Sequence, residues 1–230
     1  MTATSTLTRP FVTLVDLLLP LRCAGCDARG AALCPLCRHA IDPGAAPPTP
    51  LRHPDCPAPI HVLGDYQGRL RTALLAFKER DRRDLAAPFG EFLAQSLLHI
   101  PDVAPARDGT WWLVPAPSRA AAARRRGGSH LLRLARATAA ALALRGQQAA
   151  VAPALRFAPG VRDSVGLDRA ARAANLAGRV RLRSVAAPPE GTPVILLDDI
   201  VTTGATATAC VRELNHAGRP ISSVLALATA

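Results

Sequence analysis

The residues with the clearest chemical potential lie in one run, Val194–Thr206. Its first four residues are apolar and predict a central strand that ends in two carboxylates, Asp198 and Asp199. The turn that follows opens a helix, so its backbone N–H groups and the helix dipole point at one place, which suits a phosphate. That turn contains Thr202, Thr203, Gly204, Ala205 and Thr206. It is not a Walker loop, because Gly-Lys-Ser/Thr is absent.

Two carboxylates beside this turn narrow the class of ligand. They would repel a bare polyphosphate, but they can accept hydrogen bonds from sugar hydroxyls, directly or through Mg²⁺. A ribose with a 5-phosphate offers a phosphate and a 2,3-diol together, so the run predicts a phosphoribosyl ligand. The alternative is a strand that merely ends in Asp-Asp before a Thr-rich helix cap.

A second constellation consists of two Cys-x2-Cys pairs, formed by Cys23, Cys26, Cys34 and Cys37. Each pair can bring two thiolates to one ion, and two pairs give a closed tetrahedral site of the kind that Zn²⁺ fills structurally. A redox dithiol and an iron–sulfur cluster are the alternatives. His53 and Cys56 could add ligands, but four are already present, so packing is the favoured interpretation of both.

The charge of the chain favours anionic partners. The formal net charge is +11, and Lys78 is the only lysine. Phosphorylated small molecules, nucleic acid or an acidic membrane surface would all suit that charge. An aromatic content of 3% disfavours the stacking platforms of many single-strand-binding modules. An apolar content of 49% argues against a wholly disordered chain.

Several basic residues are candidates for contact with an anion. The glycine pair Gly127-Gly128 is preceded by four arginines, namely Arg119, Arg124, Arg125 and Arg126. They can act as a lid over pyrophosphate, contact a nucleic-acid backbone, or lie in a solvated loop. Lys78 faces the same anion or is simply exposed on an amphipathic helix. His130 is interpreted as a helix-cap or surface residue rather than a catalytic base.

Beyond residue 60, predicted strands alternate with predicted helices, which indicates an α/β fold with a mostly parallel sheet. The predicted strands are Ile60–Tyr66, Trp111–Val114, Val151–Phe157, Val194–Leu197 and Ile221–Ala228. The predicted helices are Phe11–Leu21, Gly68–Arg80, Leu85–His99, Ser129–Leu144, Leu167–Leu176 and Ala205–Ala217. Residues 1–60 form a separate unit, with a helix, the cysteine cluster and a Pro-rich linker. Residues 61–230 form the second domain.

With these residues in view, the run Val194–Thr206 resembles the phosphoribosyl pyrophosphate (PRPP) signature of type I phosphoribosyltransferases. The whole chain resembles the ComF family, phosphoribosyltransferase-like proteins named for competence for DNA uptake. The further motifs behind this resemblance are the cysteine cluster, Tyr66-Gln67-Gly68 with Lys78, Val114–Ser118, Arg126-Gly127-Gly128-Ser129 and Leu167…Arg172…Asn175. The chain departs from the family after the loop arginine, where Gly-Phe-Asn-Gln is frequent and Gly127-Gly128-Ser129-His130 stands here. It also has Ser164-Val165 where a Gln is frequent, and His53-x2-Cys56 where many members carry a third Cys pair.

The resemblance implies a type I phosphoribosyltransferase fold that binds PRPP with Mg²⁺ and transfers ribose 5-phosphate to an acceptor. The Thr-Gly turn would hold the 5-phosphate, and Asp198 and Asp199 would hold the ribose hydroxyls. Pyrophosphate would contact the turn after another strand, with Arg126 and Lys78 nearby; this turn contains Pro115, Ala116 and Ser118.

Two further hypotheses belong to other classes. The chain is an adaptor that binds PRPP or a nucleotide without turnover and works with DNA-uptake proteins, or it binds single-stranded DNA through its zinc knuckle and arginines. No segment is long and apolar enough to span a membrane, and no signal peptide is evident, so we expect a cytoplasmic location.

Overall fold

The computed structural model of the chain describes residues 21–42, 44, 46–118, 128–158 and 178–230. Its helices are α1 (Pro35–Ile41), α2 (Gly68–Glu79), α3 (Ala86–Leu97), α4 (His130–Ala143) and α5 (Ala205–His216). Its strands are β1 (Thr49–Leu51), β2 (Ile60–Val62), β3 (Thr110–Pro115), β4 (Gln148–Val151), β5 (Leu155–Phe157), β6 (Val180–Leu182), β7 (Val194–Val201) and β8 (Ile221–Thr229).

Six strands form the central sheet, in the order β1-β2-β8-β7-β3-β4. All neighbours are parallel except β1, which pairs antiparallel with β2 at the edge. The predicted α/β class with a mostly parallel sheet flanked by helices is therefore confirmed. Parallel pairing brings the carboxyl ends of β7, β8 and β3 to one edge, where open α/β sheets bind ligands.

The two central strands explain why this sheet is stable. β7 and β8 are almost wholly buried. Four of their leucines have no exposed surface, namely Leu196, Leu197, Leu225 and Leu227. Apolar side chains on both faces of a strand are expected when helices cover the sheet. The helices α3 and α4 pack on each other, and α3 also contacts β8 while α4 contacts β3, β4 and β7.

Several predicted elements change their limits in the structure. β7 does not stop at Leu197 but continues through both aspartates to Val201. The predicted strand Val151–Phe157 is two strands in different sheets, because Ala152–Ala154 leaves the central sheet and β5 pairs with β6. The Pro-rich segment was expected to be linker or coil, and part of it forms the edge strand β1, a position that tolerates proline.

Two predicted helices fall wholly or mainly outside the described residues, namely Phe11–Leu21 and Leu167–Leu176. The division into residues 1–60 and 61–230 stays a prediction, and the described part of the first unit shares an apolar core with the second. In the described part of the chain, no helix has both the length and the apolar character needed to cross a bilayer.

Candidate functional site

The turn after β7 has the geometry predicted for an anion site. Gly204 adopts φ 64° and ψ −2°, a left-handed conformation that glycine adopts without steric cost, and α5 begins at the next residue. The N–H groups of Gly204, Ala205 and Thr206 form no hydrogen bond to any described residue. These three donors therefore converge at the start of α5, where the helix dipole favours negative charge.

The two aspartates lie inside β7 and not beyond its end. Asp198 pairs with Ala226 of β8, and the side chains of Asp198 and Asp199 are 6% and 4% exposed. The Asp198 carboxylate accepts a hydrogen bond from the Asp199 N–H at 2.9 Å. The Asp199 carboxylate accepts one from the Ile200 N–H at 2.8 Å. Both acids are thus fixed by the strand that carries them.

The predicted pyrophosphate turn lies beside the same strand. Pro115 is the register partner of Leu197, and the Ala116 N–H donates to the Leu197 carbonyl at 2.8 Å. The Ser118 hydroxyl lies 2.8 Å from that of Ser129, whose oxygen caps α4 by accepting from the Leu132 N–H. The contact between Ser118 and Ser129 therefore brings the residues after β3 beside the start of α4, where His130 contacts Asp199.

Asp199 is held by one ammonium group and one imidazole. The Lys78 Nζ lies 3.0 Å from its Oδ2, and the His130 Nε2 lies 2.9 Å from the same oxygen. The ionised carboxylate can only accept, so the His130 Nε2 carries the donated proton. The His130 Nδ1 is buried and has no hydrogen-bond partner among the described residues.

These surroundings shift the pKa values of the two carboxyl groups in opposite directions. Burial, together with the charge of Asp199, raises the pKa of Asp198 to about 8. Burial also opposes ionisation of Asp199, but the hydrogen bond from His130 and the charge of Lys78 outweigh it, so its pKa is lowered. Burial would lower the pKa of Lys78, and the Asp199 charge overcomes this and raises it. At neutral pH the site therefore holds one ionised and one protonated carboxyl.

The structure brings together most of the residues predicted for this site. These are Lys78, Pro115, Ala116, Ser118, Asp198, Asp199, Thr202, Thr203, Gly204, Ala205 and Thr206. The exposed alternative for Lys78 is wrong, since its ammonium contacts a buried acid. Arg126 lies outside the described residues, as do Arg119, Arg124, Arg125 and the Leu167…Arg172…Asn175 motif.

Two histidines at the site were not predicted. The helix-cap or surface interpretation of His130 is wrong: the residue is 4% exposed, and Ser129 caps the helix instead. His130 was hard to assign because only the fold brings the start of α4 against β7. His53 contacts the turn after β7, since its Nε2 lies 2.7 Å from the Thr203 carbonyl oxygen. No pattern in the Pro-rich segment indicates that contact.

The four clustered cysteines form a candidate metal centre. Their Sγ atoms all lie within 4.8 Å of one another, and those of Cys26 and Cys34 are 3.6 Å apart. A tetrahedral site with metal–sulfur bonds of about 2.3 Å needs sulfurs about 3.8 Å apart, so the cluster fits a metal such as zinc. Neither His53 nor Cys56 belongs to this set of four.

The local backbone positions the four cysteines and donates hydrogen bonds to the thiol of Cys23. Cys34 precedes the first turn of α1 and Cys37 lies within it, so one pair spans a helix start. Burial opposes ionisation of the Cys23 thiol, but N–H groups of Cys34, Gly25 and Cys26 outweigh it and lower its pKa to about 6. A thiolate is the form that can bind a metal, so these hydrogen bonds favour the ligand form of Cys23.

The segment that carries Cys23 to Cys37, here called the cysteine unit, contacts the helices that border the candidate site. The Arg82 Nη2 donates to the Arg22 carbonyl at 2.7 Å, and the Arg69 Nη1 donates to the Leu36 carbonyl at 3.2 Å. The Arg38 guanidinium lies 5.1 Å above the Phe92 ring of α3. Because Arg69 belongs to α2, which also carries Lys78, the cysteine unit contacts the element that supplies the ammonium to Asp199.

The chain matches no protein-family model and no curated protein.

Proposed function

We propose that this chain binds PRPP, together with Mg²⁺, at the carboxyl edge of its sheet and transfers the ribose 5-phosphate group to an acceptor. The observation that carries the proposal is the juxtaposition of three unpaired N–H donors, among described residues, with a pair of buried carboxyls and the turn after β3. Backbone N–H groups that can bind an anion lie at the same edge as two acids that can bind hydroxyls. This combination suits a sugar phosphate better than a nucleoside triphosphate.

Each group has a role in the proposed complex. The N–H groups of Gly204, Ala205 and Thr206 donate to the 5-phosphate, with the Thr206 hydroxyl beside them. The two aspartates contact the ribose hydroxyls: the protonated Asp198 can donate and accept, while the ionised Asp199 only accepts. The turn from Pro115 to Ser118 lies next to them and contacts the pyrophosphate.

In the proposed reaction the bond between C1 of the ribose and pyrophosphate breaks, and pyrophosphate leaves with the bonding electrons. The acceptor forms the new bond to C1 and releases its proton to solvent. The negative charge of Asp199, fixed beside the sugar, stabilises the positive charge that develops on the ring. Mg²⁺ would supply charge neutralisation on the leaving pyrophosphate.

The residues present suggest how that ion would be held. Among the described residues, the only cluster of three or more metal-ligating side chains is the cysteine cluster. We therefore expect Mg²⁺ to enter with PRPP and to be held mainly by pyrophosphate oxygens and water, as it is at many phosphate sites. The cysteine cluster has no open position once four thiolates bind, so we propose structural Zn²⁺ there. A cytoplasmic location, where clustered thiols stay reduced, is part of this proposal.

Calorimetric titration of the purified protein with PRPP and Mg²⁺ tests the ligand. We expect micromolar binding that is lost in the double variant Asp198→Asn, Asp199→Asn. The matched control is Asp102→Asn, Asp108→Asn, which removes two exposed carboxylates that precede β3, at the end of the parallel sheet opposite Asp198 and Asp199, and should bind like the wild type. Absence of binding by the folded, metal-loaded wild type would refute the proposal.

A second candidate function is binding of PRPP or a nucleotide without turnover, as an adaptor for DNA-uptake proteins or single-stranded DNA. One observation favours it: the Asp199 carboxylate is already bound by two side chains of the protein itself, Lys78 and His130. A pyrophosphate-release assay with purine, pyrimidine and amine acceptors separates the two functions. Release with any acceptor identifies an enzyme, whereas tight PRPP binding without release favours the adaptor.

A further inference from the structure

A histidine from outside the central sheet contacts the backbone of the turn from Thr202 to Thr206, here called the anion turn. His53 follows the edge strand β1, and its Nε2 lies 2.7 Å from the carbonyl oxygen of Thr203. The contact joins residues 150 positions apart in the sequence. A carbonyl oxygen only accepts, so the imidazole N–H is the donor.

The segment that carries His53 is itself held against α5. The Cys56 N–H donates to the His53 carbonyl at 3.2 Å, which closes a turn over residues 53–56. The Arg212 Nη2 of α5 donates to the Asp55 carbonyl at 3.3 Å. The imidazole is therefore presented by a turn that is anchored to the helix following the anion site.

The ring also packs directly on Gly204. A Cβ atom at that position would lie 2.5 Å from the His53 Cδ2 and 2.8 Å from its Cε1. Such separations are well inside van der Waals contact, so a side chain at residue 204 would displace the ring. Gly204 is therefore required twice, by its positive φ and by the imidazole above it.

The geometry of one peptide unit links this contact to ligand binding. The Thr203 carbonyl and the Gly204 N–H belong to the same trans peptide, so they point in opposite directions. An imidazole that holds the carbonyl on one side fixes the N–H on the other side. Without it, the peptide before a glycine can rotate, because glycine accepts both signs of φ.

We propose that His53 is a positioning residue of the anion turn, which locks the Thr203–Gly204 peptide so that the Gly204 N–H faces the phosphate. This inference rests on the proposed function and deepens it, since it assigns to the turn a residue outside the sheet and the signature run. The ligand class is an organic phosphate monoester, and the contact acts through the backbone donor.

Titration with ribose 5-phosphate and with PRPP measures the effect on binding. We expect His53→Ala to weaken both ligands about 5–20-fold, which corresponds to the loss of one well-placed donor. His53→Gln keeps an N–H donor and should restore binding to within about 3-fold of the wild type. The matched control is His99→Ala, because His99 also bonds a backbone carbonyl, that of Gln95 in α3, away from the turn.

A ligand-free readout keeps this inference separate from the proposed function. In ¹⁵N-labelled protein, the ¹⁵N–¹H heteronuclear NOE reports how rigidly the Gly204 amide is held. His53→Ala should lower this NOE, while His53→Gln and His99→Ala leave it near the wild-type value. If the wild type binds neither ligand, the proposed function fails and the amide readout still decides the role of His53. An unchanged Gly204 NOE, or His53→Ala binding as tightly as the wild type, would overturn the inference.

Discussion

Asp198 and Asp199 are neighbours in one strand, yet they meet opposite electrostatic surroundings. Asp199 faces Lys78 and His130, whereas Asp198 accepts only a backbone hydrogen bond among those in the described part of the chain. The folded protein therefore binds a proton at Asp198 that the unfolded chain, with a carboxyl pKa of about 3.9, has released. Since the pKa is raised on folding, the contribution of Asp198 to the free energy of unfolding falls as pH rises between about 4 and 8.

This asymmetry predicts a pH-dependent gain in stability for Asp198→Asn. The amide keeps a similar shape and does not titrate, so the variant escapes the loss that the wild type suffers above pH 4. We expect its melting temperature to equal that of the wild type near pH 3.5, below the unfolded carboxyl pKa, and to exceed it at pH 8.5, by about 2–4 °C per kcal/mol. Thermal unfolding at both values measures this, with Asp108→Asn as the control. Equal differences at the two pH values would contradict the raised pKa.

The contact between Lys78 and Asp199 predicts a specific energetic coupling. Lys78→Met leaves a buried carboxylate with one partner fewer, so we expect a loss of about 1–3 kcal/mol in the free energy of unfolding. The loss should be smaller than for a fully buried pair, because the Lys78 side chain is 34% exposed. In a double-mutant cycle measured by urea unfolding, the variant that also carries Asp199→Asn should recover much of the stability lost in Lys78→Met. Simple additivity of the two changes would show that the pair is not coupled.

At the scale of elements, the close approach of α3 and α4 determines where His130 lies. A Cβ on Gly90 of α3 would lie 2.6 Å from the Ala137 carbonyl carbon and 2.7 Å from the Thr138 nitrogen. These are backbone atoms of α4, so they cannot rotate aside as a flexible side chain would. The glycine therefore sets the distance between the two helices, and α4 begins with the histidine that contacts Asp199.

Substitution of this glycine should separate the helices. For Gly90→Ala we expect a net loss of about 1–2 kcal/mol, because overpacking against backbone outweighs the gain in helix propensity. Gly64→Ala is the control, since its Cβ would meet only Leu70 Cδ2 at an ordinary 3.8 Å. Urea denaturation of both variants measures the losses. A Gly90→Ala variant as stable as the wild type would mean that the helices can part freely.

The elements also show how far a sequence determines a site of this kind. The Thr-Gly turn, the two aspartates and the clustered cysteines could be located from the sequence, because each group consists of residues that lie close together in the chain. The end of β7 was placed too early, because burial beside β8 overrides the low strand preference of aspartate. The contacts of His130 and His53 were not predictable, since each crosses a long sequence separation, 69 and 150 residues, that only the topology closes.

At the scale of the whole molecule, the cysteine unit and the sheet domain share one core. Cys23, Leu33, Cys37 and Ile41 belong to the same apolar cluster as Leu74 and Phe77 of α2. The hydrogen bonds from Arg82 and Arg69 to backbone carbonyls of the cysteine unit add directional contacts. A metal that holds the cysteine unit in shape should therefore also stabilise α2, and with it the position of Lys78.

Removal of the metal should consequently affect both stability and ligand binding. Elemental analysis should find one zinc per chain, and a chelator should lower the melting temperature by more than about 5 °C, since structural zinc contributes strongly to folding. The chelated protein should also bind PRPP more weakly, because α2 no longer holds Lys78 against Asp199. Cys26→Ser should reproduce both losses. Cys56→Ser, a cysteine outside the cluster, should retain zinc, stability and PRPP affinity. Loss of stability with unchanged PRPP affinity would show that the cysteine unit stabilises the fold without positioning Lys78.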